Sequence, residues 1–214
     1  ATASATQKKQ EGDYWDTFLN LDFDYDKRNQ KFQTTKGFRS IYSLDLPLLS
    51  KTNTLTNTYD FKKYIEIYEN NRTSLSFGLK SAFSLTGEDV KLSERLLVPS
   101  SKLRGFEFGK VGPKDGSDFI GGNYVTSFNI QSTLPYLFEN AQNLDMILFF
   151  DSANVWGVDY DSSINNSNKI RSSIGLSLDW FTPIGPMTFS LSEALTKNDT
   201  DVTETFRFNI GTSF

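Results

Sequence analysis

Apolar and polar residues alternate through most of this chain. In the last nine residues, Phe206, Phe208, Ile210 and Phe214 fall on one side, and Arg207, Asn209, Gly211 and Ser213 on the other. Side chains of an extended strand point to opposite faces at every step, so such a segment has one oily face and one wet face. The same period recurs over 14–26 (Leu19, Leu21, Phe23 and Tyr25 against Asn20, Asp22, Asp24 and Asp26), over 38–49 and over 57–69. Lys63 interrupts the apolar side of the last of these near its middle. The pattern is cleanest over 72–85, where Leu75, Phe77, Leu79, Phe83 and Leu85 oppose Ser74, Ser76, Gly78, Lys80 and Ser84. It returns over 123–136, 170–182 and 186–195, whereas 144–156 is, beyond Asp145, apolar on both faces until Asp151.

These nine segments exceed the usual strand of about 5–6 residues and match the roughly 9–11 needed to cross a bilayer at a tilt. The predicted fold is therefore all-β, an antiparallel transmembrane β-barrel spanning 13–214, with 1–12 as a disordered or loop segment. Short turns at Asn70-Asn71 and Pro183-Ile184-Gly185 alternate with longer polar segments at 50–56, 86–122, 157–169 and 196–203. That asymmetry fits periplasmic turns opposite extracellular loops. The competing reading, a soluble β-sandwich, predicts shorter strands and no two-sided difference in loop length. Nine antiparallel strands do not close cleanly, and open edges are not viable in lipid. The expectation is that this chain is part of a larger barrel.

Composition narrows the chemistry. No run of about 20 apolar residues exists, which excludes a helical membrane span; the mean hydropathy of -0.41 suits strands with only one greasy face. The chain has no Cys and no His, which removes thiol chemistry, His-based triads and most zinc sites. No catalytic residue, cofactor or metal site is expected. A net charge of -4 argues against a nucleic-acid partner. Asp159, Asp161, Asn165 and Asn166 are oxygen-rich but lack the spacing of a calcium loop. The first ten residues lack a signal-peptide core, so the expectation is a mature form or a fragment.

Six short motifs follow in order: Leu103-Arg104-Gly105-Phe106, Val111-Gly112-Pro113 with Gly121-Gly122-Asn123, Phe150-Asp151-Ser152-Ala153-Asn154-Val155-Trp156, Ile170-Arg171-Ser172-Ser173-Ile174-Gly175, Trp180-Phe181-Thr182-Pro183-Ile184-Gly185-Pro186 and Phe206-Arg207-Phe208-Asn209-Ile210-Gly211. In this order and spacing they resemble the BamA family of outer-membrane assembly factors, whose C-terminal part is a surface-antigen barrel. The likeness runs from Leu103 to Phe214, and extends more loosely from Asp13. It implies a sixteen-stranded barrel with the last nine strands present here, and soluble POTRA domains upstream. It further implies residence in the bacterial outer membrane, unfolded outer-membrane proteins as substrates, accessory lipoproteins as partners, and no enzymatic step.

The family's long loop folds into the lumen and sets its Arg-Gly-Phe tip against acidic wall residues. Carried over, the tip is Arg104, Gly105 and Phe106, the acid is Asp151, and Gln131 stands where many members have Glu. Parity places Gln131 and Asp151 on the inner face. Ser152-Ala153 replaces a customary Gly, and Val98-Pro99-Ser100-Ser101 a customary Gly pair. The seam strand would be Phe206, Phe208, Ile210 and Gly211, with Phe214 as the terminal aromatic read by assembly machinery. Alternatives are a two-partner-secretion-type pore on the same barrel, and a small self-contained adhesin or structural barrel.

Overall fold

The structure, a computed structural model, describes residues 8–134, 143–164, 169–183 and 185–211. Eleven strands follow one another: β1 (Asp16–Asp26), β2 (Gly37–Ser50), β3 (Thr54–Ile65), β4 (Thr73–Ser84), β5 (Lys114–Asp115), β6 (Asp118–Phe119), β7 (Tyr124–Leu134), β8 (Leu144–Trp156), β9 (Arg171–Thr182), β10 (Gly185–Thr196) and β11 (Phe206–Ile210). Nine of them form one sheet in the order β1-β2-β3-β4-β7-β8-β9-β10-β11, and β5 and β6 make a separate two-stranded hairpin inside the 86–122 segment. Every pairing is antiparallel, so the chain is a plain meander. The sheet is an unclosed barrel wall. Among the described residues, β1 and β11 are its edges, each paired on one side only.

Alternation sets the two faces as the period predicts. Phe77 on β4 pairs with Phe128 on β7, and both are exposed on the outer face. Leu148, Ile174, Leu176, Leu191 and Phe208 continue that band, which faces hydrocarbon. The inner face carries small polar residues instead: Ser74, Ser76, Ser127, Ser173, Ser177, Ser190 and Ser192 are all buried.

Three details differ from the sequence reading. The connection between β2 and β3 is only residues 51–53, because Thr54, Leu55 and Thr56 already pair with β4. β3 ends at Ile65 rather than 69, and 66–72 is a seven-residue turn with Asn70 at φ 62°. Lys63 therefore lies two residues from a strand end, not in the middle. It is exposed, and its ammonium sits 5.8 Å from the centre of the Phe38 ring. That position lets a cationic tip reach water at the membrane boundary.

Candidate functional site

The 86–122 segment crosses the concave face. It is held by an apolar footprint and by four arginines. The footprint is Val98, Leu103, Phe106 and Val111 of the segment packed on Val125, Ala153 and Val155 of the wall. This accounts for the two-sided hydrophobicity of β8. Its outer residues meet lipid, while Phe149, Ala153 and Val155 point inward and are covered by the loop. Ala153 fills this contact with its methyl group.

At the tip, Asp151 is completely buried and accepts from three donors of Arg104: Nε at 2.7 Å, Nη2 at 2.8 Å and the backbone N–H at 3.0 Å. The guanidinium carbon also sits over Phe149, 3.5 Å from the ring centre. A planar fork on one carboxylate, stacked on an aromatic face, is a geometry available to arginine and not to lysine. Ser173 Oγ donates to the Arg104 carbonyl. Gly105 has φ +90°, and a Cβ there would lie 3.0 Å from Ser173 Cβ, so the turn needs glycine. Phe106 is 1% exposed, in the footprint.

Gln131 lies on the inner face and lines a cavity of about 700 Å³ beside the tip, but it does not take the place proposed for it. Asn129, two residues earlier on the same face, donates to Asp151 Oδ1 at 2.9 Å and to the Lys102 carbonyl at 2.8 Å. Parity could not distinguish the two positions; only the register of the loop does.

Three further arginines escaped the sequence reading as site residues. Arg207 on β11 donates from Nη1 to the Ser100 carbonyl at 2.8 Å, from Nη2 to the Phe106 carbonyl at 2.5 Å and from Nε to Glu204 at 2.8 Å. Arg171 on β9 forks onto Asp201 at 2.9 and 3.2 Å and reaches Asn154 at 2.6 Å. Asp201 in turn accepts from the Gly112 N–H at 3.3 Å. Arg95 binds Asp159 at 2.5 Å, Asn123 at 3.0 Å and the Val90 carbonyl at 2.9 Å. The usable signal was an arginine at an inward position of a strand or in a lumenal loop, which must find acceptors when buried.

Asp159 thus serves Arg95, Asn123 and the Val90 N–H. Burial pushes its carboxyl up, and these donors outweigh burial, holding it below the ordinary carboxylate value. Asn165 and Asn166, the other half of the oxygen-rich loop, lie outside the described residues, as does Phe214. Phe206, Phe208 and Ile210 project outward from β11, and Gly211 follows at φ +113°.

A family model described as the Omp85 superfamily domain matches residues 1–214. The chain belongs to the Omp85 superfamily. The Omp85 wall described above superposes on the crystal structure of BamA from Haemophilus ducreyi lacking POTRA domains 1–3, with a TM-score of 0.79 and 26% identity over 89% of this chain and 41% of that one. Among curated proteins it is 26% identical over 161 residues to the outer membrane protein assembly factor BamA of Neorickettsia risticii, covering 72% of this chain and 22% of the relative. It is 28% identical to that of Neisseria meningitidis over 52% of this chain and 17% of the relative. It is also 25% identical to the sorting assembly machinery 50 kDa subunit of Saccharomyces cerevisiae, over 99% of this chain and 46% of the relative. The Omp85 chain spans less than half the length of each of these relatives.

Proposed function

We propose that this chain is the C-terminal part of an outer-membrane assembly factor that folds and inserts other β-barrel proteins. The carrying observation is β11: among the described residues, a five-residue strand at the edge of an Omp85 wall. A free edge presents unsatisfied N–H and C=O groups, which an incoming strand can use as a template. Further strands would close the barrel by meeting β1 and β11, leaving a weak seam at β11. Among the described residues five pairs hold β11 to β10, against eleven between β9 and β10, so β11 is the strand more easily peeled.

The work is strand exchange and lipid disturbance, needing no nucleophile, metal or nucleotide. Substrates would be unfolded outer-membrane proteins, accessory lipoproteins would attend, and the setting would be a bacterial outer membrane. The relatives named as assembly factors support this reading. Arg104, Gly105, Phe106 and Asp151 would keep the lumenal loop seated during the cycle.

Photo-cross-linkers at Phe206, Phe208 and Ile210 in the full-length protein test the proposal. Substrate strands should be captured during assembly. A disulfide locking β11 to the strand across the seam should stop insertion; full insertion with that lock in place would refute strand templating. A protein that instead conducts ions steadily, or exports one dedicated partner, would be a secretion-type pore.

A further inference from the structure

Two of the inward loop's holds on the wall lie far apart in the sheet. Arg104 holds Asp151 on β8, and Arg207 on β11 holds the carbonyls of Ser100 and Phe106, which flank the same tip. Between these points the tip lies across β9 and β10, where Gly105 sits over Ser173 and Ser192. The segment just before β11 also pairs with the loop rather than with a neighbouring strand alone. Glu204 N–H donates to the Gly105 carbonyl at 3.0 Å, Glu107 N–H to the Val202 carbonyl at 2.9 Å, and Val202 N–H to the Lys110 carbonyl at 3.0 Å. Phe106 and Thr203 form an antiparallel bridge.

β11 is thus fastened by a short ladder to β10 on one side and by Arg207 and the 202–204 pairing to the loop on its inner face. Arg207 is 9% exposed, so its three bonds are made in a site largely closed to water. Buried donors of a guanidinium find their acceptors or pay heavily, and two of the acceptors here are backbone atoms of the loop tip. If the tip leaves its seat on β8, those carbonyls move and Arg207 loses them. If β11 peels, the tip loses the donors on its far side.

We propose that Arg207 is a positioning residue that couples the seat of the Arg-Gly-Phe tip on β8 to the attachment of β11, so that release of either loosens the other. This rests on the seam reading above only for its purpose; the coupling itself is a property of the fold. Coupling of this kind is reciprocal: whatever Asp151 does to β11 through the loop, Arg207 does to the tip.

Amide hydrogen exchange on the full-length protein in lipid nanodiscs tests it, with three variants. Arg207→Gln should speed exchange at Phe206–Ile210 and also at Leu103–Phe106, by about fivefold or more, the lower range of typical coupling. Asp151→Asn, three strands away, should speed exchange at Phe206–Ile210 as well as at the tip. Glu204→Gln leaves the guanidinium in place and removes only the carboxylate that orients it, so it should give a smaller rise in the same two segments. Residues 73–84 of β4 should be unchanged in all three. If Arg207→Gln frees β11 while the tip stays protected, or Asp151→Asn frees the tip while β11 stays protected, the coupling is refuted; should Arg207→Gln fail to fold, the other two variants decide by the same criterion. An assembly assay on the same proteins separates the two ideas: exchange that is coupled in proteins with unaltered assembly sustains the coupling and removes the seam from the mechanism.

Discussion

Replacing Asp151 by alanine removes a carboxylate that accepts four hydrogen bonds, three from Arg104 and one from Asn129. The acid has no exposed surface and the arginine side chain only 13%, so little water is available to take over. Breaking a buried ion pair by deleting one partner costs about 3–5 kcal/mol, because the surviving charge is stranded. Two features pull the figure to the low end. The guanidinium keeps its stacking on Phe149, worth about 2 kcal/mol in a dry setting, and Arg104 borders the lumenal cavity, toward which it can turn. We therefore expect a loss of about 3 kcal/mol in the seating of the tip, or roughly a hundredfold in its opening equilibrium. Protease sensitivity and amide exchange of residues 98–110 in the full-length protein measure this opening directly. A double-mutant cycle isolates the pair: with Arg104→Ala already made, Asp151→Ala should cost at least about 1.5 kcal/mol less than it does alone. A coupling under about 0.5 kcal/mol would show that the footprint seats the tip and the ion pair is incidental.

Other outcomes follow from the same geometry. Asn129→Ala should loosen the tip by about 1–2 kcal/mol, since it strips donors from Asp151 and the Lys102 carbonyl, while Gln131→Ala should stay within about 0.5 kcal/mol; the reverse order in the same exchange experiment would reinstate Gln131. Phe128→Arg, on the lipid face opposite Phe77, should cost about 2–4 kcal/mol when folding into bilayers, whereas a nearly neutral result would show that this face does not meet hydrocarbon. The Asp159 carboxyl, held below its ordinary value, contributes stability that is fully present above the unfolded value near 4 and is lost as pH falls through the folded one. Exchange at Val90–Arg95 should therefore rise on acidification below about 4, and Asp159→Asn should flatten that rise. An unchanged acid response in the variant would assign it to another group.

The wall was legible because alternation reports burial directly. Leu75, Phe77 and Leu79 against Ser74, Ser76 and Gly78 can fold in only one register without turning the greasy face inward. Strand ends were less legible. Thr54 and Thr56 read as loop residues by composition, yet they pair in register with Ser84 and Ala82 because β4 runs long enough to continue the ladder. The tip could be named from its motif, and Asp151 from parity. The choice between Asn129 and Gln131 could not be made, since both occupy odd positions of one strand and only the depth of loop insertion separates them. Arg207, Arg171 and Arg95 were hidden for a different reason. In a period-two pattern an arginine counts simply as polar, so the pattern does not reveal that it lies under a loop with backbone carbonyls as partners.

β8 shows what would have exposed the loop's footprint. A barrel strand bordered by lipid on one side and water on the other needs one apolar face. A second apolar face must be covered by protein, or it would line an aqueous lumen at about 25 cal/mol per Å² of apolar surface. Phe149, Ala153 and Val155 are such a face, each no more than 3% exposed, and a lone Asp interrupts them at 151. An acid amid inward apolar residues demands a cation from whatever covers it. Two-sided hydrophobicity broken by one carboxylate is therefore the trace, within the strand itself, of an arginine-bearing loop docked from inside. The same reasoning places the loop's weight on β8, whereas at β11 Arg207 supplies the attachment. A strand held from within by polar bonds to a loop can be released by moving that loop, whereas one held by a packed footprint would have to expose apolar surface first.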